Sequence, residues 1–171
     1  MDLVIEKAVP GDSRAISELI KTVWEQMDRK EWYVIDDEKY IYDLLSSGKA
    51  IGYKAVDWDN GKLAGIFYVI FPGKSEGNLG RDIGLPEEEL ELVAHMDSAA
   101  ILPEYRGNDL QYRMMQEAER ELTERGFRYL MCTVHPENHY SRGNVLQQGY
   151  QVMATKEKYG GYLRDILMKR I

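Results

Sequence analysis

The sequence predicts an α/β domain with a mixed, mostly antiparallel sheet flanked by helices, and three observations support this. Strand-like segments alternate with segments whose apolar residues recur every three or four positions. Two strand-like runs, residues 50–58 and 63–71, flank an Asp-Asn-Gly turn and predict an antiparallel hairpin. The chain has 171 residues, the size of one domain, and no repeat or linker divides it. We therefore expect residues 1–171 to form a single domain.

Before the hairpin, the chain is predicted to form one strand and two helices. Residues 2–9 are rich in β-branched side chains and predict a strand. Asp12 or Ser13 can cap a helix within residues 10–28, where apolar residues recur at helical spacing. A second, shorter helix is expected over residues 37–47, because its apolar residues fall on one face.

After the hairpin, residues 72–86 form a predicted loop, since they contain four glycines and two prolines. Its length makes it a candidate functional loop or lid. A strand is expected over residues 89–102, and the clearest helix of the chain over residues 108–125. The remaining elements are a strand at 127–134, a loop that becomes a short helix at 135–148, and strands at 150–158 and 162–170.

The composition excludes several classes of protein. The formal net charge of -7 argues against a generic nucleic-acid binder, whose surface must neutralise phosphates. The longest apolar run, residues 63–71, is too short to cross a bilayer, and the N-terminus carries acids where a signal peptide needs basic residues. The single cysteine, Cys132, allows no internal disulfide and suits a reducing compartment. We expect a cytoplasmic protein that binds neither nucleic acid nor membrane.

The stretch LPEYRGNDLQYRMM, residues 102–115, carries the clearest functional signal. It predicts a strand end, a tight turn with Arg106 and Gly107, and an immediate helix start. A helix N-terminus offers unpaired N–H groups and partial positive charge, which attract phosphate. Arginine adds a permanent forked charge, and glycine allows close approach of the backbone. By itself the pattern fits an ordinary structural turn better than a phosphate site.

A wider comparison of motifs favours the phosphate-binding interpretation. The segment AAILPEYRGNDLQYRMMQEAE resembles the acyl-CoA-binding motif of the GNAT acetyltransferase family. The segment VHPENHYSRGNVLQQGYQV resembles that family's second signature, in which an asparagine precedes a glycine by eleven positions, as Asn138 precedes Gly149. The order of predicted elements is also the family's order, so the resemblance covers nearly the whole chain.

This resemblance implies a sheet splayed between its fourth and fifth strands, with acetyl-CoA bound there as cosubstrate. Backbone groups of the fourth strand would pair with the pantetheine arm, and N–H groups of residues 106–111 would hold the pyrophosphate. Asn138 would reach the pantetheine amides from the other side. The cofactor-binding residues implied by the resemblance are Ala100, Ile101, Leu102, Arg106, Gly107, Asn108, Asp109, Leu110, Gln111, Asn138 and Ser141.

The chain departs from the family pattern at three positions. Asp109 and Gln111 stand where the family has loop glycines. Asp109 can preserve the backbone by tolerating a left-handed φ, or cap the helix, or repel the pyrophosphate. Val145 stands where many members have a tyrosine that protonates the leaving thiolate, so the general acid has no assigned residue.

The fourth strand offers three candidate general bases, Glu91, His95 and Asp97. Regular alternation would place His95 and Asp97 on one face of the strand. Histidine titrates near neutral pH without help, but a histidine on a strand is as often structural. Asp97 with Ser98 can instead hold a bulge that opens the strands.

The function implied is acetyl transfer from acetyl-CoA to a primary amine by direct attack. The acceptor is a small molecule or a peptide or protein, and an acidic chain tends to attract cationic acceptors. No covalent enzyme intermediate is needed, which makes Cys132 a core residue rather than a nucleophile. The alternative is a CoA-binding sensor or scaffold domain of the same fold with weak or no turnover. We expect no metal, although His135, Glu137 and His139 lie close in sequence, and a homodimer is the commonest assembly.

Overall fold

The computed structural model describes residues 1–33 and 35–171. The strands are Leu3–Lys7 (β1), Ala50–Asp57 (β2), Lys62–Ile70 (β3), Val93–Ile101 (β4), Tyr129–Val134 (β5), Gln151–Lys158 (β6) and Tyr162–Arg170 (β7). The helices are Ser13–Glu25 (α1), Glu38–Ser47 (α2), Leu110–Glu124 (α3) and His139–Gln147 (α4). Short 3₁₀ helices cover Pro10–Asp12, Lys30–Trp32, Leu79–Ile83, Glu87–Leu92 and Pro103–Tyr105.

The strands form one seven-stranded sheet in the order β1-β2-β3-β4-β5-β7-β6. β2 pairs antiparallel with both β1 and β3, and β7 pairs antiparallel with both β5 and β6. β4 and β5 pair in parallel. The predicted α/β class with a mixed, mostly antiparallel sheet is therefore confirmed, as is the predicted hairpin.

The parallel pairing of β4 with β5 is short. It joins Val93, Ala94 and His95 to Tyr129, Leu130 and Met131. Residues 96–101 of β4 and 132–134 of β5 lie beyond this paired register. The predicted splay between the fourth and fifth strands stays a prediction.

The chain divides into two compact units, the first made of Met1–Ile70 and Asp97–Arg120 and the second of Phe71–Met96 and Glu121–Ile171. The expectation of a single domain stays a prediction. None of the described helices is long and apolar enough to span a membrane.

In the first unit, α1 packs on β3 through the apolar face that the sequence predicts. Ile16, Leu19 and Ile20 are buried, and each large side chain withdrawn from water contributes about 1.5–3 kcal/mol. β3 also approaches β4 closely at Gly65. A Cβ atom there would lie 2.6 Å from Ile101 Cδ1 and 3.2 Å from the Ala100 carbonyl oxygen, so a larger residue would require the Ile101 side chain and the β4 backbone to shift.

The second unit has its own apolar cluster. Its buried members come from β4, β5, β7 and the 3₁₀ helix of the 72–86 loop, so the loop is attached to the sheet. They are Leu79, Val93, Tyr129, Met131, Ile166 and Met168. Cys132 is also buried, and burial raises the pKa of its thiol to about 12, which fits the predicted core position.

Two predicted boundaries were wrong. The strand expected over residues 89–102 begins only at Val93, because Glu87–Leu92 forms a 3₁₀ helix. Pro86 precedes that helix, and three glutamates occupy its first turn, where acids complement the helix dipole. The helix expected over residues 10–28 is a 3₁₀ turn followed by α1, which ends at Glu25.

Candidate functional site

The turn between β4 and α3 is held at both ends by backbone hydrogen bonds. The Leu102 N–H donates to the Ala64 carbonyl on β3 at 2.9 Å, and the Arg106 N–H donates to the Pro103 carbonyl at 3.2 Å. The backbone N–H of Arg106 is therefore not free for a ligand. Its side chain is exposed and forms no ion pair with the described residues.

Tyr105 anchors this turn to the first unit, and sequence reasoning missed it. Its side chain is buried, and its hydroxyl donates to Asp57 Oδ2 at 2.9 Å. Asp57 is itself buried at the end of β2. A buried hydrogen bond to a carboxylate is worth about 1.5–3 kcal/mol, so this contact stabilises the turn conformation. The sequence feature that could have identified Tyr105 as an anchor is a large aromatic residue inside a charged turn.

Asp109 adopts the left-handed conformation that the sequence predicts, with φ 54°, and Gly107 has φ 84°. The Asp109 carbonyl accepts the Arg113 N–H at 2.9 Å, and Asn108 Nδ2 donates to the Tyr105 carbonyl at 2.9 Å. The replacement of glycine by aspartate thus keeps a backbone that glycine would also adopt.

α3 begins at Leu110, two residues after the predicted start. The first N–H groups of a helix have no acceptor within the helix. The side chain of Leu110 is buried and holds the N-terminal end of α3 in place. Gln111 follows it and is half-buried. The N–H groups from Gly107 to Gln111 are therefore the donors that this turn can offer to an anion.

The β4 edge offers fewer backbone groups than the resemblance implies. Successive residues of a strand point their backbone groups to opposite edges. The Leu102 N–H points to β3, and the Ala100 carbonyl oxygen also lies beside Gly65 of β3. Ile101 is the residue of the predicted set whose backbone groups face the other edge.

Asn138 and Ser141 form the N-terminal cap of α4 in the second unit. Asn138 Oδ1 accepts the Ser141 N–H at 3.4 Å, and the Asn138 carbonyl accepts the Arg142 N–H at 3.0 Å. Val145, at the position of the missing tyrosine, is buried, whereas Tyr140 is largely exposed. Within residues 1–33 and 35–171, no group of three or more His, Cys, Asp or Glu side chains could hold a metal ion.

The three candidate bases lie in different environments. Glu91 is exposed and belongs to the 3₁₀ helix that precedes β4. His95 Nε2 accepts the Leu79 N–H at 3.0 Å, so its lone pair is already used. Burial, followed by the positive charge of Lys158, lowers the pKa of His95 to about 4. His95 is therefore a neutral acceptor that connects the 72–86 loop to the strand.

Asp97 lies two residues further along β4. Asp97 as a residue is exposed. Desolvation of its carboxyl group and the nearby charge of Asp36 raise the pKa of Asp97 to about 7, against the lowering effect of the Ser98 hydroxyl. The Ser98 hydroxyl donates to Asp97 Oδ2 at 3.2 Å. Asp97 thus titrates where a general base for neutral pH must titrate.

Residues that were not among the sequence-predicted candidates also lie near Asp97. Tyr33 and Asp36 lie between the Lys30–Trp32 helix and α2, and Tyr68 lies on β3. The Tyr68 hydroxyl donates to Asp36 Oδ2. No short-range pattern in the sequence connects these residues with Asp97.

The family assignment follows from the comparison with known families. Residues 14–150 match the family model described as the acetyltransferase (GNAT) family. The chain belongs to this family, and acetyl transfer is accordingly its general activity. The comparison with curated proteins gave no match.

Solved structures of acetyltransferases have the same fold. A GNAT-family acetyltransferase from Streptococcus pneumoniae aligns with a TM-score of 0.73 at 18% identity, covering 99% of this chain and 100% of that chain. NAA60 from Arabidopsis thaliana in complex with acetyl-CoA aligns with a TM-score of 0.78 at 10% identity, covering 99% of both chains. A phosphinothricin acetyltransferase from Sinorhizobium meliloti in complex with AcCoA aligns with a TM-score of 0.73 at 16% identity, covering 100% of this chain and 89% of that chain. At these identities the likeness establishes the fold alone.

Proposed function

We propose that the protein transfers the acetyl group of acetyl-CoA to a primary amine by direct attack, with Asp97 as the general base. The observation that carries this proposal is Asp97, an exposed residue of β4 whose carboxyl group has a pKa of about 7. His95 is the less suitable base, because the Leu79 N–H occupies its Nε2 lone pair. Glu91 lies outside the strand, in the preceding 3₁₀ helix.

The turn before α3 fits the pyrophosphate of acetyl-CoA. Gly107 and Asp109 have positive φ values, and N–H groups from Gly107 to Gln111 precede or begin α3. Successive N–H groups in such a turn make a concave anion site. Arg106 would add a positive charge, and Ile101 would offer backbone groups to the pantetheine arm. The family resemblance adds Asn138 and Ser141 to this set.

Two of the similar solved structures support the choice of cosubstrate, since the S. meliloti and A. thaliana proteins are complexes with acetyl-CoA. Bound there, acetyl-CoA supplies a thioester carbonyl for attack by the acceptor. Asp97 takes a proton from the acceptor's ammonium group, which frees the nitrogen lone pair. Thiolate is a good leaving group, so solvent can protonate it in place of the tyrosine that Val145 replaces.

The test is release of free thiol from acetyl-CoA across a panel of small amines, lysine peptides and protein N-termini, with mass spectrometry of the product. We expect an N-acetylated product with at least one amine, and a rise in Tm when CoA is added. A rise in Tm without thiol release for any acceptor would favour the sensor or scaffold alternative. The absence of both effects would contradict acetyl-CoA binding altogether.

A further inference from the structure

The side chain of Tyr105 connects the turn before α3 with the β2–β3 hairpin. Its hydroxyl donates to Asp57 Oδ2 at 2.9 Å and accepts a hydrogen bond from Asn60 Nδ2 at 3.4 Å. Tyr105 and Asp57 are each 5% exposed, so water does not compete for the shorter bond. We call Asp57, Asn60 and Tyr105 together the hairpin anchor.

The hairpin holds its own side of the anchor in a fixed orientation. Asp57 is the last residue of β2, and its carbonyl accepts the N–H groups of Asn60 at 3.2 Å and Gly61 at 2.7 Å. The second carboxylate oxygen, Oδ1, accepts the Asp59 N–H at 3.1 Å. The carboxylate that receives the Tyr105 hydroxyl is therefore fixed by the turn that follows it.

The backbone of Tyr105 continues this connection toward α3. Its carbonyl oxygen accepts a hydrogen bond from Asn108 Nδ2 at 2.9 Å. Asn108 lies between Gly107 and Asp109, which both have positive φ values. Two hydrogen bonds in series, Asp57 to Tyr105 and Tyr105 to Asn108, thus connect the hairpin with the left-handed part of the turn.

This part of the turn depends on support from its surroundings. Asp109 has φ 54°, a conformation that has a free-energy cost for aspartate and none for glycine. Such a backbone persists where neighbouring contacts hold it. Lys62 and Glu104 also join the hairpin to the turn, at 3.1 Å, but both side chains are about half exposed, and exposed ion pairs contribute little. The buried hairpin anchor is therefore the stronger support.

We propose that Tyr105 and Asp57 are positioning residues for the cosubstrate, because their buried hydrogen bond holds the turn in the shape in which the N–H groups of residues 107–111 face the pyrophosphate. Both side chains act through the backbone of the turn and need no contact with acetyl-CoA. This inference rests on the proposed function in one respect, namely that this turn binds the pyrophosphate.

The expected consequence concerns binding rather than the chemical step. Without the Tyr105 hydroxyl, the turn of the free protein populates further conformations, and only a fraction of molecules presents all the N–H groups together. The apparent dissociation constant of a ligand rises as the binding-competent fraction falls. The loss should therefore affect cosubstrates that contain the pyrophosphate and leave the reacting groups unchanged.

The test compares variants of the hairpin anchor with wild type. Tyr105→Phe removes the hydroxyl and keeps the ring, and Asp57→Asn removes one of the two acceptor oxygens. Tyr42→Phe is the matched control, because it removes the same hydroxyl from an exposed tyrosine on α2 of the same unit. Far-UV circular dichroism and thermal unfolding verify that each variant is folded at the assay temperature.

Three thioesters locate the effect within the cosubstrate. Acetyl-CoA carries the pyrophosphate and the 3′-phosphate, acetyl-dephospho-CoA keeps only the pyrophosphate, and S-acetylpantetheine has neither. We expect Tyr105→Phe to lower kcat/KM for the first two by about tenfold through KM, with kcat changed by less than about twofold. For S-acetylpantetheine, kcat/KM should change by less than about twofold.

Calorimetric titration with CoA measures the same effect without turnover. The Kd of CoA should rise about tenfold in Tyr105→Phe and at least about threefold in Asp57→Asn. The double variant should bind CoA no more weakly than the weaker single variant, since both substitutions break one bond. Tyr42→Phe should bind CoA as wild type does.

Three results would overturn the inference: an unchanged Kd of CoA in Tyr105→Phe, an equal loss with S-acetylpantetheine, or a loss with acetyl-CoA that acetyl-dephospho-CoA does not share. If Tyr105→Phe does not fold, Asn60→Ala replaces it, because Asn60 is exposed and its amide donates to the same hydroxyl. A rise of about two- to threefold in the Kd of CoA would then support the inference, and an unchanged Kd would overturn it.

The same measurements separate this inference from the proposed function. If wild type binds CoA but acetylates no amine, and Tyr105→Phe binds CoA more weakly, the positioning role stands and the proposed transferase function fails. If wild type acetylates amines and Tyr105→Phe has the same KM for acetyl-CoA, the transferase function stands and the positioning role fails. An absence of CoA binding in wild type would contradict both.

Discussion

His95 and Asp97 lie two residues apart on β4, yet their surroundings change them in opposite directions. Burial disfavours the charged form of each group, which for histidine is the cation and for aspartate the anion. The pKa of His95 is therefore lowered to about 4, and that of Asp97 is raised to about 7. The residue type that normally titrates near neutral pH no longer does, and the aspartate takes its place. The environment decides which of the two can act as a base.

The largest expected effect that separates the two residues is on catalysis. Asp97→Asn should lower kcat/KM by about 10²–10⁴-fold, because it removes the general base while keeping the side-chain shape. His95→Gln should change kcat/KM by less than about threefold, since an amide oxygen can still accept the Leu79 N–H. Steady-state kinetics with the best acceptor of the amine panel measure both. A larger loss for His95→Gln than for Asp97→Asn would reverse the assignment.

A second difference concerns the dependence of stability on pH between about pH 4 and 7. The folded state raises the pKa of Asp97, so it binds a proton that the unfolded state lacks, and stability falls as pH rises through this window. The folded state lowers the pKa of His95, so the unfolded state binds the extra proton, and stability rises with pH over nearly the same window. The two contributions oppose each other in the wild type.

Urea unfolding at several pH values can separate these opposing contributions. Asp97→Asn should make the free energy of unfolding rise more steeply from pH 4 to 7, and His95→Gln should make it fall. Parallel curves for wild type and both variants would show that neither group has a perturbed pKa.

The smallest expected effect is at the pyrophosphate loop. Asp109→Gly removes a carboxylate and keeps a backbone with φ 54°, so CoA should bind equally well or severalfold more tightly. Asp109→Ala removes the same charge but strains the left-handed backbone by about 1–2 kcal/mol, and should bind CoA more weakly than Asp109→Gly. Calorimetric titration with CoA measures both. Clear weakening in Asp109→Gly would mean that the aspartate side chain supports the loop.

Local patterns predicted most of the fold. The hairpin, the helix that follows LPEYRGND and the left-handed Asp109 depend on residues close together in sequence, where propensity and turn chemistry act. The predicted start of β4 was wrong. The reason is also local, since the glutamates after Pro86 favour a helical turn over an extended strand. The motif resemblance identified the family, which the match over residues 14–150 confirms.

The environments of the candidate bases could not be predicted in this way. Asp36 and Tyr68 are separated by 32 residues, Asp57 and Tyr105 by 48, and His95 and Leu79 by 16. Such contacts depend on how the strands and loops pack, which no short sequence window contains. The sequence could therefore name His95 and Asp97 as candidates but could not choose between them.

The most direct test of this account is the pH dependence of kcat/KM for wild type and Asp97→Asn with an alkylamine acceptor. For wild type we predict a tenfold rise per pH unit below about pH 7 and a plateau above it, as Asp97 loses its proton. In Asp97→Asn that inflection should disappear together with most of the activity. An inflection near pH 7 that persists in Asp97→Asn would contradict the assignment of Asp97 as the base.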